Sequence, residues 1–101
     1  MSEPAATDED ARSLMAAGRP AEAAALYRRA IAERPDDFTL YNNIAAALRR
    51  TGDRSGALAA LERACRLLPG HPTVALNRAA LLADLRRPAE ARDVIAPVVA
   101  S

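Results

Sequence analysis

Residues 18–35 read GRPAEAAALYRRAIAERP, and residues 52–69 read GDRSGALAALERACRLLP. At this offset of 34 the two stretches match at Gly18/Gly52, Ala23/Ala57, Ala25/Ala59, Arg29/Arg63, Ala30/Ala64 and Pro35/Pro69. Alanine matches carry little weight in a chain with 26 alanines, so the turn-forming Gly and the helix-ending Pro decide the alignment. The same offset carries residues 38–51 onto 72–85, matching Thr39/Thr73, Asn43/Asn77, Ala45/Ala79, Ala46/Ala80 and Leu48/Leu82. Twice the offset lays Arg19-Pro20-Ala21-Glu22-Ala23 on Arg87-Pro88-Ala89-Glu90-Ala91, an unbroken run of identities. Three copies of one unit fill a single domain of 101 residues, at about 4–37, 38–71 and 72–101, the last incomplete.

Each copy reads as two helices. Breaks fall near Gly18-Arg19-Pro20, Pro35-Asp36-Asp37, Thr51-Gly52-Asp53, Pro69-Gly70-His71-Pro72 and Arg86-Arg87-Pro88. They leave helical segments of about 11 to 14 residues, three to four turns each. Thr7, Asp36 or Asp37, and Asp53 or Ser55 are placed to cap helix starts. Pro20, Pro72 and Pro88 suit a first helical turn, where the missing N–H costs nothing. The apolar residues recur with helical spacing at Leu40, Ile44, Ala47 and Leu48, and again at Leu58, Leu61, Ala64, Cys65 and Leu68. Small residues at Ala23, Ala45, Ala57, Ala79 and Ala91 let helix backbones approach, while Tyr27, Leu48, Leu61, Leu82 and Ile95 fill the space beside them.

Composition removes several classes. Abundant Ala and an aromatic content of only 3% argue for closely packed helices and set all-β architectures aside. All 14 basic residues are Arg, and against 13 acidic residues they give a formal net charge of +1. Such a balance provides no global field for nucleic acid or an anionic membrane, so neither is expected as a partner. A lone Cys65 excludes an intramolecular disulfide, and with the single His71 it cannot form a Cys/His zinc site. No apolar run approaches the roughly 20 residues that span a bilayer, and the acidic N-terminus is unlike a signal peptide. The expected location is cytoplasmic.

A 34-residue helix–turn–helix unit with this Ala, bulky, Ala, Pro spacing resembles the tetratricopeptide repeat. The resemblance rests on Ala23, Tyr27, Ala30 and Pro35 in the first copy. In the second it rests on Ile44, Ala45, Leu48, Gly52, Asp53, Ala57, Leu61, Ala64 and Pro69. The third copy keeps Ala79, Leu82, Ala91 and Ile95 but has Arg86 for the turn Gly, Val98 for the last Ala and an added Pro97. The first copy carries Asp10 where the family has a large aliphatic residue. The style is closest to bacterial arrays and to the superhelical repeats of O-linked N-acetylglucosamine transferases. The resemblance implies an all-α fold, a right-handed α–α superhelix of six antiparallel helices in three repeats. It also implies a protein or peptide partner on a concave face, as a scaffold with no enzymatic activity.

No convergent acid, base and nucleophile emerge from the chain, and no catalytic residue, metal ligand or cofactor is assigned. Asp8, Glu9 and Asp10 read as an acidic cluster at a helix N-terminus, favourable beside the helix dipole. His71 reads as a surface loop residue and Cys65 as a buried, inert thiol. The resemblance implies that the first helix of each copy lines the binding groove, with Asn42, Asn43, Arg49 and Arg50 in the second, Asn77 in the third and Arg12 in the first. Asn43 and Asn77 lie one period apart, and their spacing resembles the peptide-gripping asparagine ladder of those transferases. An amide that is simply solvated is the plainer alternative. A chaperone-type carboxylate clamp is not expected, because Asp8, Arg12, Thr73 and Asn77 stand where that clamp has Lys, Asn, Lys and Arg. Arg12, Arg49 and Arg50 would still favour a carboxylate-bearing peptide.

Val94–Ser101 lack a following cap helix, so a homodimer through this last helix is one expectation, and an N-terminal module of a longer protein is another. Pro97 should kink or end that helix. Two alternatives accompany the interaction module: a substrate-recruitment segment of a larger glycosyltransferase, sulfotransferase or hydroxylase, and pure self-association.

Overall fold

The computed structural model describes the backbone of residues 4–93 and the side chains of residues 9–93. Five helices follow one another: α1 (Pro4–Ala16), α2 (Pro20–Glu33), α3 (Phe38–Thr51), α4 (Arg54–Leu67) and α5 (Pro72–Asp84). Helical backbone resumes at residue 88 and runs to residue 93, the opening of α6. No strand occurs among the described residues. The main contacts join α1 to α2, α2 to α3, α3 to α4 and α4 to α5, so each helix packs on its neighbours in sequence. The result is an all-α antiparallel solenoid elongated to 45 × 25 × 18 Å. The expectations for Ile95, for a kink at Pro97 and for a last helix without a cap fall on residues 94–101, outside the described residues.

The turns within each helix pair are built alike. Gly18 and Gly52 have φ of 77° and 92°, and Arg86, at the same register, is the one non-glycine residue among those described with positive φ, at 59°. In each turn this residue's N–H bonds back three residues and the next N–H bonds back five. Gly18 donates to the Met15 carbonyl and Arg19 to Leu14; Gly52 to Arg49 and Asp53 to Leu48; Arg86 to Ala83 and Arg87 to Leu82. This paired pattern satisfies the orphan carbonyls of the helix end and requires a left-handed residue after it. The third copy thus keeps the turn without its glycine, and Arg86 bears the steric cost of the left-handed region.

The links between copies work differently. Arg34 and Leu68 leave the helix extended (φ of −131° and −139°) while their N–H groups still reach the carbonyls of Ala30 and Ala64. Pro35 and Pro69 impose this, since the residue before proline is pushed out of the α region. Asp37 caps α3 by accepting from the Thr39 N–H at 3.0 Å, and Asp53 caps α4 by accepting from the Gly56 N–H at 2.9 Å. Pro20 and Pro72 open α2 and α5 as expected. The N-terminal expectations need correction. Because α1 begins at Pro4, Thr7 lies inside it, and the run from Asp8 to Asp10 falls beyond the first turn, where the dipole's effect has faded.

Ala23 and Ala57 are fully buried, Ala45 and Ala79 nearly so, and each sits beside a buried bulky residue: Tyr27, Leu61, Leu48 or Leu82. Small residues thereby set a short interhelical distance, and the bulky ones fill the space it leaves. Leu68 departs from the sequence pattern. It is the C-cap of α4, already turned off the helical face by Pro69, and remains 40% exposed.

The repeated Arg-Pro-Ala-Glu motif has a local purpose. Arg19 Nε donates to Glu22 Oε1 at 2.8 Å, and Arg87 Nε donates to Glu90 Oε1 at 2.7 Å. The Arg87 hydrogen bond, reinforced by its charge, holds the Glu90 carboxyl below the ordinary carboxylate range. The pair therefore favours the folded state above the unfolded carboxylate pKa, and that contribution is lost as pH falls through the lower folded value.

Gly52→Ala should lower stability by about 1–2 kcal/mol, the cost of a Cβ in the left-handed region. Arg86→Gly should raise it by a few tenths to about 1 kcal/mol, because the added chain entropy of glycine offsets part of the relieved strain. Urea denaturation of the two variants checks both signs.

Candidate functional site

The first helices of successive copies meet along a polar seam. Asn77 Nδ2 on α5 donates to Asn42 Oδ1 on α3 at 2.9 Å. Arg49 on α3 reaches Asp84 on α5, with Nε and Nη2 at 2.9 and 2.6 Å from Oδ2. Arg50 on α3 reaches back to α1, where Nη1 donates to the Met15 carbonyl at 2.9 Å. All three contacts join residues 35 apart, one more than the repeat length. Helical geometry explains the extra residue. Positions 34 apart are equivalent and point the same way, so they cannot face each other across two neighbouring helices. Moving one residue on turns the side chain by about 100° and brings it to the opposite flank.

Beside this seam lies a cavity of about 220 Å3. Its lining comes from Asn42, Ala45, Ala46, Arg49 and Arg50 of α3, Leu61 of α4, and Asn77 and Leu81 of α5. Buried Ala45, Leu61 and Leu81 give it an apolar floor, and the amides and guanidinium groups stand at its edge. The structure thus brings Asn42, Arg49, Arg50 and Asn77 together. Asn43 is half-buried and Arg12 is exposed on α1, and neither belongs to the cavity lining. The sequence pattern marks Ala45 and Leu61 as helix-contact residues; that they and Leu81 are reached from the groove is a property of the helix crossing, which no single helix reveals.

The residues weighed for chemistry differ from their sequence reading. His71 is half-buried as the N-cap of α5, its ring centroid 5.1 Å from that of Phe38, so the interrepeat loop is anchored by ring packing. Tyr41 steadies the same region by donating from its hydroxyl to the Pro35 carbonyl at 2.8 Å, under the Arg63 guanidinium. Cys65 is half-buried and borders a shallow hollow with Glu62, Arg66, Pro69 and Arg78. Arg78 lies 3.7 Å from Glu62 there. Among the described residues no group of three or more His, Cys, Asp or Glu is gathered to hold a metal, and no helix is long and apolar enough to cross a membrane.

A family model described as tetratricopeptide repeat matches residues 9–72 and again 47–100. The chain belongs to the tetratricopeptide repeat family. A search of curated proteins found no matching relative. Among solved structures, the tetratricopeptide array is similar to a MamA protein, the RS-1 ArsTM double mutant, with a TM-score of 0.91 at 21% identity. That match covers 96% of this chain and 55% of the MamA chain. It is similar also to the TPR2AB domain of yeast Sti1 in complex with pHSP90, with a TM-score of 0.86 at 20% identity, over 91% of this chain and 36% of the other. The chain thus spans about half, or less, of these neighbours. At such identities the likeness establishes the tetratricopeptide fold and leaves the groove to be argued from its own side chains.

The Arg49–Asp84 pair is 43% and 36% exposed at its side chains. A double-mutant cycle with Arg49→Ala and Asp84→Ala should give a coupling energy of about 0.2–1 kcal/mol. Added salt should shrink it, as measured by urea denaturation at low and high ionic strength.

Proposed function

We propose that this tetratricopeptide array is a protein-interaction module that holds an extended segment of a partner protein between α3 and α5. The observation that carries this reading is the Asn42–Asn77 amide pair set beside an apolar-floored cavity of about 220 Å3. After their mutual bond, Asn77 keeps a carbonyl oxygen and one N–H, and Asn42 keeps both N–H groups. Together they offer donor and acceptor to a peptide backbone, which carries one of each per residue and needs both satisfied when covered. A side chain of the bound segment then enters the cavity. Asn43, the register equivalent of Asn77, and Arg12 serve as outer contacts for a longer segment. The fold-level likeness to the Sti1 domain solved with pHSP90 supports a peptide as the kind of ligand.

Peptides selected from a random display library on the wild-type protein provide the probe. The double variant Asn42→Ala with Asn77→Ala, checked for helicity, should bind a selected peptide about ten- to thirtyfold more weakly, the worth of two hydrogen bonds of about 1 kcal/mol each. Equal affinity for wild type and double variant would contradict the groove reading.

A further inference from the structure

The arginines at the rim of the cavity are the residues that a carboxylate ligand would engage, yet the chain already engages them. Asp84 Oδ2 accepts from both Nε and Nη2 of Arg49, the same edge of the guanidinium that pairs with an incoming carboxylate. Arg50 spends Nη1 on the Met15 carbonyl of α1. Meanwhile the cavity between them has an apolar floor of Ala45, Leu61 and Leu81. We propose that Asp84 is a built-in occupant of the Arg49 fork. The groove therefore takes its peptide through an uncharged apolar side chain, and a carboxylate on that peptide gains Arg49 only by displacing Asp84. The proposal rests on the groove reading above and assigns its specificity.

Charge balance supports this assignment. Around the cavity Arg49 and Arg50 carry two positive charges and Asp84 one negative, so removing the aspartate charge doubles the local positive excess and frees the fork. The intramolecular pair is partly solvated and weak, which makes Asp84 a displaceable competitor rather than a permanent lock. The expected discrimination is accordingly modest, about two- to fivefold in affinity. An apolar side chain entering the cavity bypasses the competition, because its contacts are with the floor.

The test uses one peptide selected on the wild-type protein and a partner peptide differing by a single Gln→Glu change beside its apolar anchor. The proteins are wild type, Asp84→Asn, and Arg49→Gln with Asp84→Asn, each checked for wild-type helicity. The proposal expects the wild-type library pool to be rich in apolar anchors and not in Asp or Glu. The Glu peptide should gain no affinity over the Gln peptide on wild type, about two- to fivefold on Asp84→Asn, and none once Arg49 is also replaced. An equal gain on wild type and Asp84→Asn, or a gain that survives Arg49→Gln, overturns the role of Asp84 while leaving the groove in place. A wild-type pool that binds the Asn42→Ala, Asn77→Ala protein equally well overturns the groove reading and this inference with it.

Discussion

Every 34 residues the turn within a helix pair needs one residue in the left-handed region, at Gly18, Gly52 and Arg86, and the rest of the molecule follows from that requirement. The left-handed residue lets two N–H groups fold back onto the last helical carbonyls, closing the helix and reversing the chain within two or three residues. Reversal makes consecutive helices antiparallel neighbours, so each must offer a small residue where it touches the next. The buried alanines at positions 23, 45, 57 and 79 are that offer. Proline ends α2 and α4 by the opposite device, extended backbone at Arg34 and Leu68, and the two kinds of turn alternate along the described residues. With tight and extended turns alternating, the described helices stack in one direction and do not close on themselves into a bundle.

The stack gives the first helices a common side, and the seam along it decides what kind of groove they form. Two polar bonds and one ion pair, all at a spacing of 35, tie α1 to α3 and α3 to α5. They contribute little to stability individually, since they are partly exposed. Their consequence is positional: the groove's amides and guanidinium groups are held in fixed places, and part of their hydrogen-bonding capacity is spent within the chain. What remains for a partner is an amide pair suited to backbone and an apolar pocket suited to one side chain.

Much of the fold was legible because repetition amplifies weak signals. Pro35 alone is an ordinary helix breaker, but Pro35 with Pro69, and Gly18 with Gly52, mark boundaries that the helices respect within a residue or two. Arg86 breaks the glycine pattern, yet Arg-Pro-Ala-Glu-Ala directly after it repeats the start of α2 and fixes the turn's place. The site was legible only in part. The expected groove set was Asn42, Asn43, Arg49, Arg50, Asn77 and Arg12; four of these line one cavity, and Asn43 and Arg12 do not. Periodicity compares a residue with its equivalent in the next copy, so it drew attention to Asn43 and Asn77. Physical contact between neighbouring helices needs opposite flanks, and that geometry joins Asn77 to Asn42. His71 is a loop residue and Cys65 packs on an apolar stripe, but both are half-buried, a degree that depends on Phe38 and on the α4–α5 crossing outside their own segments.

The seam register is therefore the claim on which the groove, its specificity and the role of Asp84 all depend. An isotope-edited nuclear Overhauser spectrum of the labelled protein measures it directly through the side-chain amide protons of Asn77. The account predicts cross-peaks from these protons to the Asn42 side chain, and the corresponding contact from Asp84 to Arg49. Cross-peaks to Asn43 in place of Asn42 would contradict it, because they would mean that equivalent positions face each other and that the spacing across the groove is 34.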